Sequence, residues 1–263
     1  MTLTHSSKLW LLAMLTIILA AAVFLLKPIP QDLAYHSFAD HRTFFGIPNF
    51  LNVVSNLPFV LIGLYGLGRL AKTAVPASIG AIYAVIFLGI TLTGIGSAYY
   101  HLSPDNNTLL FDRLPLTLVF MGLLSAIVSQ FISDRLAIRI LIPLLLVGIG
   151  SVLWWHYTES KGAGDLRLYG FVQFYPMVFI PLVIFLFPSS AAVRCLHLLK
   201  WIVIWYVIAK LFEYFDKQIF SMGHIISGHS LKHLAAAITT WLIVKMFQET
   251  HLHHSTPLHP STP

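Results

Sequence analysis

Long apolar runs, separated by short polar stretches, set the organisation of the chain. Eight runs stand out, at residues 9–26, 50–70, 77–100, 110–131, 137–155, 169–187, 196–215 and 229–247. About 20 apolar residues suffice for a helix to cross a bilayer, so the pattern predicts an all-α membrane protein whose spans alternate in direction. The first run is longer than the apolar core of a signal peptide, and Ala20, Ala21 and Ala22 lie inside it rather than after it. It therefore reads as a retained helix, ended by Lys27-Pro28-Ile29-Pro30, where two prolines cannot continue a helix. The second run opens with PNFLNVVSNLPF. There Asn49, Asn52, Ser55 and Asn56 recur at spacings of three and four, which suits hydrogen bonding between helices, with a ligand role as the alternative. Glycines 63, 66, 68, 89, 94 and 96 thin the second and third spans and predict close helix packing.

Composition agrees with this pattern. The chain has 263 residues, of which 57% are hydrophobic and 10% charged, against roughly 25% charged in soluble domains. The formal charge of +6 suits anionic lipid headgroups; with no basic cluster interleaved with aromatics, nucleic acid is not an expected partner. Cys195 is the sole cysteine, which excludes an intrachain disulfide and a multi-cysteine metal site. Alternating spans divide Lys and Arg equally between the two faces, eight each, and only the acids favour one. On that bias the termini are expected to be cytoplasmic, sharing one face because the span number is even. The expected division is an extra helix at 1–30, a bundle at 31–248 and a disordered polar tail at 249–263. Trp154 to Tyr157 read as an interfacial aromatic belt, Arg113 as a partner of Asp112 or of headgroups, and Lys210, Glu213, Asp216 and Lys217 as ion pairs or anchors.

The chemistry sits at helix ends. The last run opens with GHSLKH, placing His229 and His233 one helical turn apart. The third run ends with Ser97 and His101 at the same spacing, and Asp112 lies where the fourth begins. All these ends emerge on one face, as does the loop carrying Asp40 and Asn49, opposite the termini. Ionisable groups at membrane depth are costly and mark function. Three imidazoles make a zinc site with one position open for water. Asp112 is then a candidate proton acceptor and Ser97 a candidate oxyanion donor or orienter of His101. Two other roles for Asp112 stay open: a charge favoured by its helix dipole, and a fourth ligand that closes the site. The matching substrate is an amide or ester whose tails arrive from the bilayer.

Ser-x3-His at the end of one helix, Asp at the start of the next, His-x3-His in the last helix and NFLNVVSN together resemble the alkaline ceramidase family. That family is part of the CREST superfamily, which includes the progestin and adipoQ receptors. The resemblance runs from residue 40 to about 247 and implies a seven-helix bundle, here with one extra N-terminal helix. It implies an intramembrane zinc amidohydrolase that cleaves ceramide to a sphingoid base and a fatty acid. Ser97, His101, Asp112, His229 and His233 match the family motif without substitution. Eukaryotic relatives carry an acid-rich calcium site before their first helix; here only Asp40, Asn49 and Asn52 stand in that place, a poor ligand set for a hard cation. A receptor-like member, a hydrolase of another lipid and a metal or proton transporter are the alternatives. The short loops disfavour a receptor with a large extramembrane domain, and clustering of polar residues at one end disfavours a path through the bilayer.

Overall fold

Proline, glycine and capping side chains decide where the apolar runs become helices. The computed structural model describes residues 3–188 and 190–251. Along them run α1 (His5–Leu25), α2 (Phe50–Val54), α3 (Leu57–Ala71), α4 (Ala77–Leu102), α5 (Asn106–Phe131) and α6 (Asp134–Ser160). Then come α7 (Arg167–Leu186), α8 (Ser190–Tyr214), α9 (Asp216–Ser221) and α10 (Gly228–His251). The protein is an all-α membrane bundle. Among the described residues, six stretches are long and apolar enough to cross a bilayer: α1, α2–α3 taken together, α4, α5, α6 and α7. α8 and α10 are of similar length, and α10 carries Lys232, Lys245 and the histidines. The expected tail falls largely on residues 252–263, outside the described residues.

Several local details depart from the sequence pattern. The run at 50–70 is broken at Ser55-Asn56, because Pro58 has no N–H to offer the carbonyl one turn back. α5 starts four residues earlier than its apolar run. Asp105 accepts from the Thr108 N–H while the Thr108 hydroxyl accepts from the Asp105 N–H, a reciprocal cap. The Thr108 N–H holds the Asp105 carboxyl below the ordinary carboxylate range. Asp112 is thus the seventh residue of α5, too deep to serve as its terminal charge. The aromatic belt is also split. Trp154 and Tyr157 face outward, whereas Trp155 is fully buried. Arg113 is buried too, its guanidinium 4.3 Å from the Trp155 ring and 4.8 Å from the Tyr169 ring, donating to Gln31 Oε1 at 2.6 Å. Ring faces supply the negative side of its close pairing.

Two glycines bring the elements of the site together. A Cβ on Gly96 would collide with the Phe111 carbonyl, so the missing side chain lets α4 press against α5 where Ser97 meets Asp112. A Cβ on Gly228 would collide with the Phe212 carbonyl and with Asp216, so α10 starts flush against the turn between α8 and α9. Gly68, by contrast, faces open space. α1 lies outside the bundle, with only Leu12 buried, and rests on α7. Arg167 Nη1 donates to the carbonyls of Phe24 and Leu26 at 3.1 and 2.6 Å, and Arg167 is itself clamped by Asp165.

Candidate metal centre

α10 delivers His229 and His233 from its first two turns. Ser227 caps the helix by accepting from the Ser230 N–H, and Asp216 accepts from the His229 N–H at 2.7 Å. These two acceptors satisfy amides that a helix start leaves free. The other Asp216 oxygen accepts from the Ala39 N–H at 2.8 Å, which ties the loop before α2 to the same point. α4 delivers His101 in its last turn, with its carbonyl held by Asn49 Nδ2 at 2.9 Å. The result is a buried cluster of His101, His229 and His233, whose ligand atoms all lie within 4.8 Å of one another.

The geometry of the cluster fits a metal ion. His101 Nε2 and His229 Nε2 are 3.3 Å apart. Two ligands of a tetrahedral ion with metal–nitrogen bonds of about 2.0–2.1 Å stand about 3.3 Å apart. The third ring is oriented by Ser55, whose hydroxyl donates to the Asn52 carbonyl at 3.1 Å and lies 2.8 Å from His233 Nδ1. With its proton committed to Asn52, Ser55 accepts from Nδ1–H, which leaves the Nε2 lone pair of His233 free. Phe38 covers the cluster, its ring centroid 4.6 Å from that of His101 and 4.5 Å from that of His229.

The cluster separates two cavities. One is a narrow apolar cavity of about 130 Å³. Its polar end is formed by Asn56, Ser97, Asp112, Lys232 and His233, and its far end by residues such as Leu123 and Ile243. From His233 to Ile243 its lining residues follow α10 over about 15 Å at 1.5 Å per residue. The other cavity is polar and lined by Tyr35, Ser37, Glu213, Asp216 and His229. Between them stands Lys232, whose Nζ is paired with Glu213; Glu213 also accepts from Lys210 at 2.7 Å.

The structure brings together nearly every residue singled out in the sequence. Ser97 lies beside the Asp112 carboxyl at the cavity wall, one turn from His101. The polar row of the second run does make bonds between elements: Asn49 to His101, Ser55 to His233, and Asn52 Oδ1 to Ser230 at 2.7 Å. Asp40, Asn49 and Asn52 are neighbours, yet their side-chain oxygens are engaged by protein donors. Asp40 is bound by Arg42 through Nε at 2.8 Å and Nη2 at 2.7 Å, Asn49 Oδ1 lies 3.3 Å from His41 Nδ1, and Asn52 Oδ1 serves Ser227 as well as Ser230. Arg42 also donates to the carbonyls of His224 and Ile225, strapping the loop to the approach of α10. Burial raises the Asp40 carboxyl, and the Arg42 bonds outweigh it, holding it below the ordinary carboxylate range. The contributions of Lys232 and Phe38 had no signal in sequence spacing, because their partners lie on other elements, whereas Asp216 serves as an anchor for the amides of Ala39 and His229.

Fold and site together define a multi-pass integral membrane protein with a buried three-histidine centre able to hold a metal ion. The family described as Ceramidase matches residues 39–260, and the chain belongs to it. The family's activity is hydrolysis of the amide bond of ceramide. α1 lies outside the matched residues. None of the curated proteins matches the chain.

Proposed function

We propose that the protein is a zinc-dependent intramembrane amidohydrolase that cleaves ceramide or a closely related N-acyl lipid. The observation that carries the reading is the buried triad at the head of a long apolar cavity. Three neutral imidazoles suit zinc among the common divalent ions, and with three protein ligands a position remains for the reaction. When bound, such an ion supplies Lewis acidity, polarising an acyl carbonyl and acidifying water.

The side chains divide the remaining work. The apolar cavity takes the acyl chain and brings the amide to its polar end. α7 contributes Pro176 and Met177 to the wall and α8 contributes Ile202 and Tyr206. These two helices pack little against one another among the described residues, which leaves a side route for lipid. Water arrives from the polar cavity beside His229. Asp112 takes the proton of the attacking water as its oxygen bonds to the carbonyl carbon. The Ser97 hydroxyl and the Lys232 ammonium offset negative charge as it develops on the acyl oxygen. The C–N bond then breaks, and Asp112 returns the proton to the departing nitrogen, giving an amine and a fatty acid.

A hydrolysis screen of N-acyl and ester lipids with purified protein tests the reading. Release of fatty acid from an N-acyl lipid, abolished by a zinc chelator, is expected. Inertness of the metal-replete protein towards every lipid amide would contradict it.

A further inference from the structure

Asn56 stands apart from the other polar residues of the site. It is 1% exposed and lines the apolar cavity at the same end as Ser97, Asp112 and His233. Its Nδ2 donates to the Asn52 carbonyl at 2.7 Å. A carbonyl can only accept, so this bond fixes which way the amide points. The other end, Oδ1, is buried and has no hydrogen-bond partner among the described residues. A buried acceptor left unpaired costs free energy, and such an atom in a binding cavity marks where a ligand donor belongs. The two other asparagines of the early second run already have protein partners for their side-chain oxygens: Asn49 with His41, Asn52 with Ser227 and Ser230. Asn56 is the one whose oxygen is held back.

The nearby groups narrow the donor. Ser97 and Lys232 can donate to a carbonyl oxygen, and the metal triad also addresses that oxygen, so none of them needs a donor on the substrate. A secondary amide adds one feature that an ester lacks, its N–H. We propose that the Asn56 side-chain oxygen accepts the N–H of the scissile amide and makes the site selective for amides over esters. The inference rests on the hydrolase reading and adds to it a specificity-determining contact with the substrate. A ligand with no N–H leaves Oδ1 buried and unpaired, so selectivity comes from a penalty on the wrong ligand as much as from a bond to the right one.

Binding to zinc-stripped protein in lipid nanodiscs isolates this contact from turnover and from the metal. Three probes share one alkyl length and carry no hydroxyl: a secondary N-alkyl fatty amide, its N-methyl tertiary amide and the corresponding ester. The wild-type protein should bind the secondary amide roughly tenfold or more tightly than the other two. Asn56→Leu keeps the branching at Cγ and removes the acceptor, and the Asn52 carbonyl retains its bond from Ser55. This variant should bind all three probes within about twofold, with ester affinity equal to or above that of the wild type. Asn56→Ala serves the same comparison if the leucine is not tolerated. Equal wild-type binding of amide and ester, or an amide preference that survives both substitutions, would overturn the role of Asn56 and leave the hydrolase reading standing. Failure of all three probes to bind the wild type would remove both.

Discussion

Ser55 Oγ lies 2.8 Å from Nδ1 of His233, with its own proton directed to the Asn52 carbonyl 3.1 Å away. A residue two positions before the start of α3 thus sets the tautomer of a histidine 178 residues later. Partners of this kind typically contribute 10–100-fold in metal affinity. Ser55→Ala should therefore weaken zinc binding by about that factor without unfolding the bundle. Competition against a chelator of known affinity measures it.

In the proposed mechanism Asp112 and Ser97 act on the reaction rather than on metal retention. Asp112→Asn should keep its zinc and lose roughly 10²–10⁴-fold in turnover, as expected for a removed proton acceptor. Ser97→Ala should keep its zinc and lose roughly 10²–10³-fold if it offsets charge on the acyl oxygen. Zinc content and turnover measured on the same preparations check both. Loss of zinc from Asp112→Asn would make the aspartate a ligand and the metal structural.

Gly96 tests the packing that joins the two halves of the site. Its Cα sits where a side chain would strike the Phe111 carbonyl, immediately before Asp112. Gly96→Ala should push α4 and α5 apart, lowering stability by about 1–3 kcal/mol, as overpacking does. Activity should fall further than stability, because Ser97 and Asp112 separate. Thermal unfolding and turnover, measured together, distinguish the two effects.

How much of this was legible in the chain follows from where the partners lie. The helical bundle and the histidines were readable because polar residues in an apolar run stand out, and because helical spacing of four puts His229 and His233 on one face. The depth of Asp112 in α5 was hidden by a polar first turn: Asn106, Asn107 and Thr108 look like loop until Asp105 is seen to cap them. Trp155 was misplaced for a related reason. Adjacent residues on a helix face different ways, and only packing tells which of Trp154 and Trp155 turns inward. Pro58, in contrast, was a readable signal for the break between α2 and α3.

The strap formed by Asp40 and Arg42 should respond to acid. Arg42 holds the Asp40 carboxyl below its ordinary value, so the bond stabilises the fold above the unfolded value near pH 4. That contribution is lost as pH falls through the lower folded value, because protonation removes the charge that Arg42 grips. Hydrogen exchange in residues 36–48 should therefore show this loop opening below about pH 4 before the rest of the bundle, and Asp40→Asn should open it at neutral pH. Added calcium should not restore the loop in that variant, since Asn49 and Asn52 already bind protein donors.

If the histidine triad holds the ion on which amide hydrolysis depends, zinc titrated into stripped protein should restore fatty-acid release from a long-chain ceramide. Activity should rise linearly and level off at about one zinc per chain, and His233→Ala should show neither tight uptake nor recovery. Full hydrolysis by the stripped protein, or saturable zinc uptake at the triad with no hydrolysis of any lipid amide, would contradict the account.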